Sequence, residues 1–162
     1  MDARLISLKL VLDALGVEWA IRKLSDRKLL QKAIYLAQLS GADLGYSYGW
    51  YKRGPYSPKL TRDYYGLDEA LDEDDAELSR YTLVPQVAQR LDTVRPLMAV
   101  PAGIDLEQHD WLELLASLHF LLVNRRLPID AARGVLAEEK PHLVDYIDHA
   151  YRVLHERELV AA

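Results

Sequence analysis

Leu5, Leu8, Val11, Leu12 and Leu15 recur at the three-and-four spacing of a helix face, which predicts an amphipathic helix over residues 3–15 ending at Gly16. Ser25 reads as the N-cap of a second helix. Its apolar face runs through Leu29, Leu30, Ala33, Ile34, Leu36 and Ala37 to Ser40, with Gly41 as the stop. Lys28 and Lys32, four residues apart, fall on its other side. The pattern then changes period. Tyr46 to Tyr51 alternates aromatics with small residues, as a short strand does, and Gly54-Pro55 is turn chemistry. Ser57-Pro58 pairs an N-cap with proline at the first helical position, predicting a helix from Pro58 to about Leu71. Asp72 to Glu77 reads as an acidic loop, Tyr81 to Val84 as a second short strand, and Pro85 as the start of a helix through about Met98.

Beyond Pro101-Ala102-Gly103, Asp105 and Gln108 form a candidate capping box. Trp111 to Val123 is apolar nearly all round, which predicts a buried central helix. A short helix over Pro128 to Ala137 and a last one from Pro141 follow, the latter with Leu143, Ile147, Ala150, Tyr151 and Leu154 on one face. The expected fold is therefore mostly α. It is a single domain, residues 1–162, of six to seven helices with a minor two-stranded β element and a winged-helix-like order in its N-terminal half.

Composition narrows the setting. The chain has 162 residues, half of them hydrophobic, so a core of ordinary size can be buried. With no cysteine, disulfides, thiolate metal sites and cysteine nucleophiles are excluded, and a reducing cytoplasm is the simpler home. No apolar run approaches the roughly 20 residues of a membrane span. The net charge of −5 hides a split. Residues 20–62 hold nine basic and two acidic side chains, whereas residues 63–79 hold eight acidic and none basic. Such asymmetry raises the expectation of a charged partner.

Catalytic and metal signatures are weak. His142, Asp145 and His149 share one side of the predicted last helix, but a zinc site needs further ligands, and an exposed polar face accounts for them. His119 sits in the apolar run, where a histidine is usually a satisfied core residue. Asp72, Glu73, Asp74, Asp75 and Glu77 lack the glycine and closing glutamate of a calcium loop. Neither a nucleophile elbow nor a phosphate-binding glycine loop appears. The expectation is a non-catalytic protein that requires no cofactor and no metal.

The basic and aromatic stretch carries most weight. Lys28, Lys32, Lys52, Arg53, Lys59 and Arg62 flank Tyr46, Tyr48, Trp50, Tyr51 and Tyr56. Cations interleaved with rings suit phosphate contact and base stacking, and equally suit a protein interface anchored by tyrosine, tryptophan and arginine. Part of the aromatic set must close the core, since a strand buries one face.

Two runs in this stretch resemble a known family. Lys28-Leu29-Leu30-Gln31-Lys32-Ala33-Ile34-Tyr35-Leu36-Ala37-Gln38, followed by Tyr48-Gly49-Trp50-Tyr51-Lys52-Arg53-Gly54-Pro55-Tyr56-Ser57-Pro58, is similar to the paired signature of the Panacea domain. That family takes in SocA-like antitoxins and YwgA-like proteins of bacteria and phages. This chain carries one extra leucine in the helix run, and Tyr81-Thr82-Leu83-Val84-Pro85 stands where Thr-Pro-x-Gly is commoner. The likeness covers residues 25–90, and residues 91–162 only in helical character. It implies a small helical domain that neutralises a toxin by direct binding, or hands it to a protease, and that is encoded in a toxin–antitoxin, prophage or defence locus.

The reading is thus an antitoxin-like protein-binding module, with a partner surface on Lys28, Lys32, Trp50, Lys52, Arg53, Tyr56, Lys59 and Arg62. The runner-up is a winged-helix-like DNA binder, opposed by the carboxylates that follow the basic stretch. A third reading takes the stripe Leu143, Ile147, Ala150 and Leu154 as a dimer or docking seam within a larger complex.

Overall fold

The computed structural model describes residues 1–73 and 76–161. Its mostly helical architecture with one small antiparallel sheet is the fold class that the apolar spacing implies. Helix α1 spans Ala3–Ala14, its N-terminus capped by the Asp2 carboxylate, which accepts the Arg4 amide at 2.8 Å. Helix α2 spans Leu24–Leu39. Its start is fixed by Asp26, whose carboxylate accepts the Lys23 backbone N–H at 3.0 Å, rather than by Ser25. Helix α3 runs Pro58–Glu73 behind Ser57, whose Oγ accepts the Leu60 amide at 3.3 Å, so the Ser-Pro signal reads true.

The sheet differs from expectation. Strands β1 (Gly49–Tyr51) and β2 (Gly54–Tyr56) form a hairpin about Lys52-Arg53, with Trp50 opposite Pro55. Gly54-Pro55, read as the turn, is the start of the returning strand. Proline is tolerated there because this two-stranded ribbon leaves every strand an edge. Tyr81–Val84 joins no sheet among the described residues. The order is therefore helix, helix, strand, strand, helix, and not the helix, helix, strand, helix, strand of the winged reading.

Helix α4 (Pro85–Leu91) ends earlier than Met98, and a 3-10 turn over Arg95–Met98 follows, since Pro96 has no amide to extend the ladder. Helix α5 (Gln108–His119) runs into a π-helical turn over Phe120–Asn124, closed by the Arg125 amide on the Phe120 carbonyl at 3.0 Å. Gln108 caps nothing; its side chain donates to the Met98 carbonyl at 2.8 Å. Helix α6 spans Ile129–Glu139, and α7, Ile147–Glu156, is preceded by a 3-10 turn over Pro141–Tyr146.

Helices α2 and α5 pack on each other at the centre, with α7 against α5 and α1 against α2 and α3. Trp111 to Leu121 is buried without a break, as its all-round apolarity predicts. Leu143, Ile147, Ala150 and Leu154 are each 0 % exposed, so the stripe offered as a seam is consumed inside the molecule. No helix of the described residues is long and apolar enough to cross a membrane. Of the acidic segment, Asp72 and Glu73 end α3 and Glu77 lies in a 3-10 turn, while Asp74 and Asp75 lie outside the described residues.

Candidate recognition cleft

Helix α2 is covered on more than its apolar face, and this changes the roles of its lysines. Every residue from Leu30 to Ala37 is buried, Gln31 and Lys32 included. Lys28 is turned largely inward. Its Nζ lies 2.8 Å from Asp110 and 2.7 Å from Glu113, both on α5. Glu113 also receives the Lys140 ammonium at 2.7 Å, and Lys140 donates a second bond to the Lys52 carbonyl at 2.9 Å. Burial pushes the Glu113 carboxyl up, but hydrogen bonds from Lys140 and Lys28 and their charges outweigh it, leaving Glu113 below the usual carboxylate value. Asp110 is held low in the same way, burial being outweighed by Lys28.

Lys32 is 1 % exposed, and its Nζ donates to the Pro55 carbonyl at 2.6 Å. Burial lowers its pKa to about 7. The Glu113 charge opposes that shift, while Lys140, Lys28 and Arg53 reinforce it. The expectation that Lys28 and Lys32 form an outer basic face is thus corrected. Helical periodicity sorts side chains by sequence, but a hairpin and α5 seated against α2 convert its polar side into an interior one.

The other polar residues of the α2 run are internal too. Gln31 donates to the Ser57 carbonyl and accepts the Ser57 amide, both at 2.9 Å, pinning the junction of β2 and α3. Gln38 accepts the amides of Leu44 and Tyr46 at 3.2 and 2.9 Å and donates to the Tyr46 carbonyl at 3.0 Å, shaping the loop before the hairpin. The Tyr35 hydroxyl lies 2.7 Å from His119 Nδ1. Burial lowers the His119 pKa to about 4, opposed by a hydrogen bond to the Leu159 backbone. His119 is therefore a neutral core residue at pH 7, as its place in the apolar run suggested.

A cleft of about 370 Å³ opens between α2, the hairpin and α3. It gathers Lys28, Lys32, Lys52, Arg53 and Tyr56 of the sequence-chosen set, together with Arg27, Tyr51, Tyr64 and Tyr65. Five basic residues and four tyrosines line it, and among the described residues no carboxylate does. Lys52 and Arg53 are exposed at the hairpin tip. Tyr51 and Tyr65 are 50 % and 47 % exposed. The half-buried Tyr56 packs edge-on against Tyr51 at 5.1 Å, and its hydroxyl accepts the Thr61 Oγ1 proton at 2.7 Å. Trp50, Lys59 and Arg62 lie outside this cleft. Trp50 stacks on Phe120 at 5.7 Å with Lys140 over its ring, Lys59 sits 5.6 Å from the Tyr46 ring, and Arg62 is exposed. Sequence reasoning missed Arg27, Tyr64 and Tyr65. The adjacent pair Tyr64-Tyr65 was the available signal, since neighbouring helical residues point about 100° apart and only one can enter the core.

None of the described residues of the acidic segment lines the cleft. Asp68 accepts the Trp19 Nε1–H at 3.1 Å, and Glu77 pairs with the Met1 amino group at 2.9 Å. Asp110, Glu113 and His142 bring ligand atoms within 4.8 Å of one another, but lysine ammonium groups already occupy both carboxylates. His142, Asp145 and His149 do not converge: His149 packs edge-on to Trp111 at 5.8 Å, and Asp145 is exposed. No family model, curated protein or solved structure matches the chain.

Proposed function

We propose that this chain is a non-catalytic recognition module that takes an acidic segment of a partner protein into the cleft between α2, the hairpin and α3. One observation carries the reading. A chain of net charge −5 lines one cleft with five basic residues and four tyrosines, and among the described residues no carboxylate joins that lining. Half-exposed tyrosines supply contact area at low entropy cost, and arginine supplies a planar fork for carboxylates. The Panacea resemblance adds the partner's class, a toxin that this chain would neutralise or deliver to a protease. The runner-up, a DNA-binding regulator, loses the strand order that favoured it and would draw on the same basic, tyrosine-lined cleft.

The test is site-directed photocrosslinking in the native host. A crosslinking residue at position 65 is expected to capture a defined protein that the same residue at position 151 does not. Arg53→Ala and Tyr65→Ala are each expected to weaken the purified partner's binding by at least about tenfold. Equal capture at both positions, or full affinity in both variants, contradicts the reading. Capture of nucleic acid, with affinity falling steeply in salt, would put the regulator in its place.

A further inference from the structure

Among the described residues, the charges beneath the hairpin do not pair off one to one. Asp110 and Glu113 supply two carboxylates, and Lys28 and Lys140 supply the two ammonium groups paired with them. Lys32 is a third ammonium in the same cluster, with no carboxylate within 4.0 Å among the described residues. Its one hydrogen bond goes to the neutral Pro55 carbonyl. It nevertheless lines the cleft, together with Lys28 and Arg53. A buried lysine with no carboxylate ion-paired to it, in the lining of an opening that has no acid among the described residues, is what an anion site looks like before its ligand arrives.

We propose that the cleft binds a carboxylate or phosphate group, which becomes the counter-ion of Lys32 and is flanked by Lys28 and Arg53. The partner-recognition reading says what carries the anion, and to that extent the inference rests on it. The charged and titratable groups around Lys32 are Lys28 on its own helix, Glu113 on α5, Lys140 after α6, Arg53 on the hairpin and Tyr56 on β2. The acids of this cluster, Asp110 and Glu113, are both already engaged by other lysines, Asp110 by Lys28 and Glu113 by Lys28 and Lys140. An added negative charge must therefore favour protonated Lys32, so that near and above neutral pH binding draws a proton from solvent. No covalent bond changes. Affinity is expected to fall as pH rises above about 7, where the free site has lost its proton.

The test uses the full chain labelled with ¹³C at lysine Cε, the Lys32 signal being assigned through its contacts to Gly54 and Pro55, so that no variant need fold. Its titration is followed at constant ionic strength in sodium chloride alone, with glutarate, and with inorganic phosphate. The Lys32 midpoint is expected to rise by about one unit, a tenfold change in its protonation equilibrium, when the anion binds. A rise with glutarate alone assigns a carboxylate, with phosphate alone a phosphoryl group, and with both a site for either. If neither anion moves the Lys32 midpoint, the site is overturned, even if Arg53→Ala still weakens a partner. The two readings fail separately.

Discussion

Glu113 holds two ammonium groups at 2.7 Å each while itself only 3 % exposed, so its removal strands more charge than that of any neighbour. Glu113→Ala is expected to cost about 3–5 kcal/mol, read from urea unfolding, because Lys28 and Lys140 would stay buried without their shared counter-ion. A loss below about 1 kcal/mol would mean that the lysines swing to solvent freely. Gly54 carries a different constraint. Its φ is +89°, and an added Cβ would lie 2.3 Å from Ser117 Oγ, an atom that itself has no hydrogen-bond partner. Gly54→Ala should destabilise by about 2–4 kcal/mol, whereas Ser117→Ala should be neutral or mildly stabilising. The double variant should recover part of the loss, because the clash goes and the backbone strain stays. None of this was legible at Gly54, which looks in sequence like an ordinary turn glycine. Lys28 and Lys32 were misplaced for a related reason: sequence assigns lysine to solvent, and only the partners on α5 and the hairpin make burial tolerable.

At the scale of elements, helices with strong apolar spacing and clear caps were readable from sequence. Helices α1, α3 and the buried α5 fall close to where Leu5–Leu15, Ser57-Pro58 and Trp111–Val123 put them. The sheet was not, because Tyr81–Val84 and Gly54–Tyr56 are both short, and pairing depends on what lies across the turn rather than on composition. Most polar residues of the α2 run act as stitches that mould the chain after it. Gln31 is the clearest case, with bonds to both backbone groups of Ser57. Gln31→Leu is expected to cost about 1–3 kcal/mol, since the buried Ser57 amide loses its acceptor while the Ser57 carbonyl keeps the Thr61 amide, and to speed hydrogen exchange at the Ser57 amide selectively. Unchanged exchange there would mean that the β2–α3 junction is held by something other than Gln31.

For the whole molecule, buried titrating groups set the dependence of stability on pH. His119 titrates near pH 4 when folded and 6.5 when unfolded, so the unfolded chain binds more protons between these values. Stability should therefore fall by about 2–3 kcal/mol as pH drops from 6.5 towards 4. His119→Gln, which keeps an acceptor for Tyr35, should lose most of that slope. Lys32 titrates near 7 when folded and 10.5 when unfolded, so its contribution grows as pH rises across that window. Tyr35 and Tyr48 are raised by burial and oppose further gain above pH 10. Maximal stability is thus expected at about pH 9, and a maximum below pH 7 would contradict the assignment of Lys32.

The central claim is that the basic stretch is divided between internal counter-charges and one open cleft, and is not a broad cationic face. Charge reversal on either side of that division tests it most directly, as affinity for the captured partner at one fixed salt concentration. Arg53→Glu, at the cleft, should weaken binding by about a hundredfold, and Arg62→Glu, equally basic and exposed but outside the cleft, by no more than about twofold. Equal losses from the two reversals would contradict the account.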